Sequence, residues 1–250
     1  MNHLALDSHS HCGYTVPFEE LAGEWREGAI DGGVVFSPVE EIYDRYDPFF
    51  SDTPEYHVSR SRVHGYLLDL ATRRYIYPYF FVWNDFAPVP AGFVGIKWHR
   101  HAGEPVYRYE SPRCEARIEE ICSKKLPIVL EEEFAHTLQF LDRIAGKTVI
   151  IIPHMGGLNG GYERLRNAGV FEQANVWVDT ALAHPDEIAD FASRYGIDRI
   201  MFGSDYPFGR PRSERRKVES LFAGEERAAV CSGNLMRLLA KSVDDARESW

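Results

Sequence analysis

Asp7, His9 and His11 occupy alternate positions in the stretch LDSHSH, directly behind a short apolar run. Residues two apart in a strand point to one face, so these three side chains are expected to share a side if the strand runs that far. Two neutral imidazoles on one face suit a divalent transition metal such as zinc. Asp7 would then orient a ring or cap the strand end. The same spacing also suits a polar turn with surface histidines, and HxH alone does not decide between them. Further candidates end other apolar runs: Lys97 and His99 in GIKWH, Glu131 in LPIVLE, His154 in VIIIPH and Asp205 in MFGSD. Each has a bland alternative. Lys97 could snorkel, Glu131–Glu133 could serve a helix N-terminus, His154 could bond to loop backbone, and Asp205 could cap a turn. Their joint occurrence at run ends favours a metal centre.

The elements that must position these residues follow from the apolar pattern. Eight runs occupy 4–9, 32–38, 75–83, 92–99, 126–132, 147–154, 174–180 and 199–205. Several are continuous Val/Ile/Phe runs, as expected for parallel strands covered on both faces. Amphipathic stretches at 18–28, 54–73, 111–124, 134–145, 160–172, 185–195, 213–222 and 225–241 read as helices. The connection 84–91 is short and carries two prolines, so no helix is expected there. The alternation predicts an α/β fold of the (β/α)8 TIM-barrel type with its site at the C-terminal rim of the strands. A doubly wound sheet would bring a glycine-rich phosphate turn after an early strand, and none follows the first run. No internal repeat or linker interrupts the chain, which reads as a single domain over 1–250. The acidic, aromatic segment 40–57 follows the second run and is expected to cover the barrel mouth.

Composition narrows the function. The net charge of −10 over 250 residues disfavours a nucleic-acid partner. No run approaches the ~18 apolar residues of a membrane span. MNHLALDSH lacks a basic segment followed by a long apolar core, so the expectation is a cytoplasmic protein. The four cysteines form no CxxC pair. Cys12, beside His11, reads as a small buried apolar residue more readily than as a metal neighbour.

The ordered pieces LDSHSHCG, GIKWH, LPIVLE, IIPHMGG, IMFGSDYPF and GNLMRLL resemble the amidohydrolase superfamily. They are most similar to its amidohydrolase 2 family of hydrolases and decarboxylases, which includes aminocarboxymuconate-semialdehyde decarboxylase and pyrone-dicarboxylate lactonase. The resemblance runs from residue 6 to residue 239 and implies a distorted barrel holding one divalent metal, usually Zn2+, with Mn2+ or Fe2+ as alternatives. It makes His9, His11 and Asp205 metal ligands, Asp205 also the general base, and His154 the group that polarises substrate or orients water. The family's strand-five position usually carries a ligand histidine. Here Glu131 stands in its place. Glutamate is a competent zinc ligand, but it makes the site more negative, which weakens Lewis acidity and shifts preference toward harder metals such as Mn2+. A strand-four lysine can be carboxylated in binuclear relatives. For Lys97 the favoured role is instead contact with an anionic substrate, shared with His99, Arg100 and Arg210, for each of which a structural or solvated role remains open.

The function expected is hydrolysis of a small anionic ester, lactone or amide by metal-activated water. Non-oxidative decarboxylation of a small acid uses the same ligands and is the alternative. A barrel that keeps binding and has lost catalysis is the second. The closing segment KSVDDARESW reads as a polar tail or short helix suited to a subunit contact, which leaves a homo-oligomer open.

Overall fold

The computed structural model describes residues 4–247. Eight parallel strands pair in the order in which they occur, β1 (Leu6–Asp7), β2 (Gly32–Val35), β3 (Ile76–Phe81), β4 (Gly95–His99), β5 (Ile128–Glu131), β6 (Ile150–Ile152), β7 (Val176–Asp179) and β8 (Ile200–Met201). The last strand returns to the first. Ser8 N donates to Phe202 O at 2.8 Å, Asp205 N donates to His9 O at 2.8 Å, and Ser10 bridges Tyr206. Helices lie between the strands, so the fold is the (β/α)8 barrel expected from the alternation of elements. They are α1 (Phe18–Glu27), α2 (Pro54–Leu70), α3 (Pro112–Ser123), α4 (Phe134–Ile144), α5 (Tyr162–Asn167), α6 (Pro185–Tyr195), α7 (Pro211–Leu221), α8 (Gly224–Ala228) and α9 (Asn234–Arg247). The connection from β3 to β4 carries no helix, as its prolines predict. The expected closing segment 241–250 lies partly outside the described residues; the α9 backbone continues to Arg247.

Local chemistry starts several helices. Thr53 and Ser111 accept backbone N–H bonds at the N-termini of α2 and α3, each followed by a proline in the first turn. His184 and Glu187 form a capping box at α6, with Pro185 in the first turn. The interior and the sheath are packed separately. Leu6, Val34, Phe36, Tyr79, Val129, Ile151, Trp177 and Met201 fill the barrel, and Leu235, Leu238 and Leu239 of α9 join that cluster. Strand β4 adds no apolar side chain to it. A Cβ on Gly95 would lie 2.3 Å from the Tyr79 ring, so glycine there makes room for that tyrosine. Two residues on, Lys97 occupies the same strand face and enters the site above the apolar layer.

In segment 40–57, Tyr43 packs against Phe81 at the end of β3 and reaches His99 at the end of β4. Tyr43 is buried and stacks on Trp83 with ring centroids 4.4 Å apart. Tyr46 and Phe49 point outward and are exposed.

Candidate metal centre

The histidines of LDSHSH reach the barrel mouth by a route that the alternation rule does not describe. Strand β1 ends at Asp7, and beyond it only isolated bridges, Ser10 with Tyr206 and His11 with Phe36, continue the pairing. Asp7 does not act with the two imidazoles. Its carboxylate accepts from Trp25 Nε1 of α1 at 3.0 Å, Ser204 Oγ at 2.5 Å, Ser204 N at 2.9 Å and His9 N at 3.1 Å. It ties the end of β1 to the loop after β8, the strand-end role and not the ring-orienting one. His9 and His11 still converge, with ring centroids 6.0 Å apart. His154 and Asp205 join them from the loops after β6 and β8. Both hold left-handed backbone, φ 56° and 55°, which non-glycine residues adopt only where surrounding contacts enforce it.

Three imidazoles are oriented in the same way. His9 Nδ1 donates to Asp179 Oδ2 at 2.8 Å, His11 Nδ1 to Ser37 O at 3.2 Å, and His154 Nδ1 to Ala181 O at 2.9 Å. Each partner is an acceptor, which assigns the proton to Nδ1 and leaves Nε2 a lone pair. His9 Nε2 and His11 Nε2 both lie 3.3 Å from Asp205 Oδ1. His154 Nε2 is buried, has no hydrogen-bond partner, and lies 3.8 Å from Asp205 Oδ2 and 3.9 Å from Glu131 Oε1. Lone pairs and carboxylates thus face one another in a buried space. That arrangement calls for a cation, and the donor set fits a divalent transition metal. His9, His11 and Asp205 place their donor atoms within 4.8 Å of one another.

The electrostatics agree. Burial disfavours charge on His9, as does Lys97, yet the carboxylates of Asp179 and Asp205 outweigh both and raise it to about 9. Burial would raise the Asp205 carboxyl, but the charge of His9 and the close approach of His9 and His11 hold it well below the usual carboxylate range. His11 is lowered, chiefly by burial. Without a metal, the buried Lys97 ammonium and a proton on His9 supply the positive charge among these carboxylates.

Asp179, at the end of β7, was missing from the sequence-derived set. Besides holding His9, its carboxylate accepts from the backbone N–H of His154 at 3.0 Å and of Ala181 at 3.1 Å. One aspartate thereby fixes two of the converging histidines. Its place at the end of VWVD was the available signal.

The other expected residues divide. Lys97 is fully buried, ion-paired with Glu131 Oε1 and 3.3 Å from His9 Nε2. Glu131 Oε1 lies 3.7 Å from His9 Nε2, and Oε2 faces His99 and His101. His99 is buried and pushed down to about 4 by that burial, against the pull of Glu131. Arg100 and Arg210, expected to bind substrate, are not brought to the cluster. Arg100 pairs with Glu132 and Glu133 and contacts His136 on the helix side of β5. Arg210 pairs with Glu24 of α1, with its side chain exposed. Carboxylates on neighbouring elements hold both guanidinium groups away from the mouth.

The family model described as Amidohydrolase matches residues 86–241. The chain belongs to the amidohydrolase family. It is an enzyme of that superfamily, whose solved structures of like fold include hydrolases and decarboxylases. A putative 2-pyrone-4,6-dicarboxylic acid hydrolase from Pseudomonas putida superposes with a TM-score of 0.69 at 17% identity, covering 96% of this chain and 98% of that one. The 2,6-dihydroxybenzoate decarboxylase from Rhizobium superposes with a TM-score of 0.68 at 16% identity, covering 96% and 99%. A dihydroxybenzoic acid decarboxylase from Polaromonas, solved with manganese and the inhibitor 2-nitroresorcinol, gives 0.68 at 16%, covering 96% and 97%. At these identities the likeness is one of fold. No curated protein sequence matches the chain. No helix among the described residues is long and apolar enough to cross a membrane.

Proposed function

We propose that this amidohydrolase is a hydrolase of a small anionic ester, lactone or amide, and that His9, His11, Asp205 and Glu131 hold its divalent metal, Zn2+ in the first instance and Mn2+ or Fe2+ otherwise. The observation that carries the reading is the buried convergence of three Nε2 lone pairs on the Asp205 carboxylate. When bound, the metal supplies Lewis acidity, lowering the pKa of water and polarising the scissile group. Asp205 is ionised by its surroundings, accepts the proton of the attacking water, and returns it to the leaving group. His154 commits its Nδ1 proton to Ala181 O, so Nε2 acts as an acceptor that orients the attacking water. Asp179 keeps the His9 ring in the tautomer that turns Nε2 inward.

A cavity of about 280 Å³ beside His11, lined by Thr15, Val39, Pro207 and Phe208, suits a small molecule. A second opening is lined by His101, Phe134, Leu158 and Arg164. Its guanidinium supports an anionic substrate in the role expected of Arg100 and Arg210. The test is a product screen with metal-loaded enzyme on small lactones, esters, amides and aromatic acids. Ring opening or acyl cleavage, abolished in Asp205→Asn, is the expected outcome. Carbon dioxide release from an acid, with no hydrolysis of any substrate, would replace hydrolysis by decarboxylation at the same residues.

A further inference from the structure

Beside the cluster just described, Glu131 presents its second oxygen to a different pair of histidines. Glu131 Oε1 serves the His9 side and Lys97. Oε2 lies 2.8 Å from His101 Nε2 and 3.3 Å from His99 Nε2. The donor atoms of His99, His101 and Glu131 all fall within 4.8 Å of one another. Neither histidine contributes to the proposed hydrolytic steps.

The hydrogen bonds behind these rings show what the pair requires. Tyr43 Oη donates to Glu104 Oε2 at 2.7 Å, a short bond to a carboxylate that fixes its single proton there. The same oxygen lies 3.3 Å from His99 Nδ1, so it accepts from that ring nitrogen. The His99 proton is therefore on Nδ1, and its Nε2 lone pair points at a carboxylate oxygen. Two acceptors 3.3 Å apart in a buried place repel unless a cation lies between them. His101 is held from behind by Arg45, whose Nη2 lies 3.2 Å from His101 Nδ1, while Arg45 is itself anchored to Glu104 Oε1 at 2.6 Å. Glu104 backs His99 through Tyr43, whereas Arg45 donates to His101 Nδ1 and leaves that ring's proton on Nε2; Glu104 Oε1, 3.8 Å from His101 Nδ1, is the carboxylate that would face the proton once an ion displaced it from Nε2. With His99 and Glu131 buried and the His101 side chain 28% exposed, the trio has a route for an ion to enter.

We propose that His99, His101 and Glu131 form a second divalent-metal site, distinct from His9–His11–Asp205 and separated from it by the Glu131 carboxylate. Two imidazoles and one carboxylate with open positions suit Zn2+, Mn2+ or Fe2+ over Ca2+ or Mg2+. An ion there takes the place of the proton that His101 offers to Oε2 and relieves the opposition of His99 Nε2 to the carboxylate.

The test counts ions. Chelator-stripped protein is reloaded with Zn2+, separated from free metal, and analysed for metal per chain in the wild type, His101→Ala, His101→Gln and His11→Ala. Thermal melts confirm folding, and His101→Gln keeps a polar side chain should the alanine variant lose structure. The wild type is expected to hold about two ions per chain and each variant about one, and two Mn2+ ions in the wild type should give a spin-coupled electron paramagnetic resonance spectrum. One ion in the wild type, unchanged in both His101 variants, overturns the second site and leaves the proposed function standing. Two ions in the wild type and still two in the His101 variants also overturn it. One ion lost in the His101 variants but kept in His11→Ala supports the second site and contradicts the proposed function instead.

Discussion

A His9 pKa near 9 makes two quantities respond to pH in opposite directions. The group is raised from 6.5 in the metal-free fold. A raised folded-state pKa means that the folded chain binds the proton more tightly than the unfolded chain does. Its stabilising contribution is therefore complete below about pH 6.5 and is lost as pH rises through 9. The shift corresponds to roughly 3 kcal/mol, at about 1.4 kcal/mol per pH unit. Metal binding runs the other way, because a ligand imidazole must give up that proton. At pH 7 an incoming ion displaces a proton held with a pKa about two units higher, which weakens apparent affinity roughly 100-fold relative to pH above 9. Denaturant melts of stripped protein at pH 6.5 and 9 measure the first effect. Competition with a chromophoric chelator across the same range measures the second. The expectation is falling metal-free stability and metal affinity rising about tenfold per pH unit between 7 and 9. Asp179→Asn, which removes a carboxylate that raises His9, should flatten both slopes. An affinity that does not change with pH, or stability of the stripped protein that increases toward pH 9, would refute the reasoning.

Other perturbations have equally defined outcomes. Asp205→Asn should lower the stability of the metal-free protein below about pH 9, because protonated His9 loses a carboxylate partner, and should lower kcat on whichever substrate is found by about 100-fold or more, the scale of general-base loss. Asp179→Asn should weaken metal binding by roughly 10- to 100-fold when measured above pH 9, where no extra proton on His9 competes in either protein, because the His9 ring and the His154 backbone lose their shared acceptor; a titration giving wild-type affinity there would remove Asp179 from the site. Gly95→Ala places a methyl against the Tyr79 ring and should cost about 1–3 kcal/mol in denaturant melts. Pairing it with Tyr79→Phe should recover little, since the clash is with ring carbons and not the hydroxyl.

Much of this architecture was legible because a parallel barrel writes itself as continuous apolar runs alternating with amphipathic ones. Each of the eight runs contains its strand, and the functional groups stand at the ends of those runs. What escaped is the direction of side chains once a strand has ended. Asp7 follows the rule for alternating residues, facing Trp25 while Leu6 fills the barrel, but regular pairing stops there and only isolated bridges at Ser10 and His11 carry the chain on to the mouth. Arg100 and Arg210 were placed at the mouth by position alone, whereas Glu132, Glu133 and Glu24 on other elements decide where their charges go. Asp179 looked like one more strand-end acid. Its importance appears only when β1 and β6 bring a ring nitrogen and a backbone N–H to its two oxygens. Glu131, by contrast, was singled out because it departs from a family pattern, and the structure gives that carboxylate two faces, one on each histidine cluster.

The central claim is that a divalent ion belongs where His9, His11 and Asp205 converge. Anomalous X-ray diffraction at the zinc absorption edge, from crystals of reloaded protein, tests it most directly. A peak within bonding distance of His9 Nε2, His11 Nε2 and the Asp205 carboxylate is the predicted result. Diffraction from fully loaded protein with no peak at those three residues would contradict it.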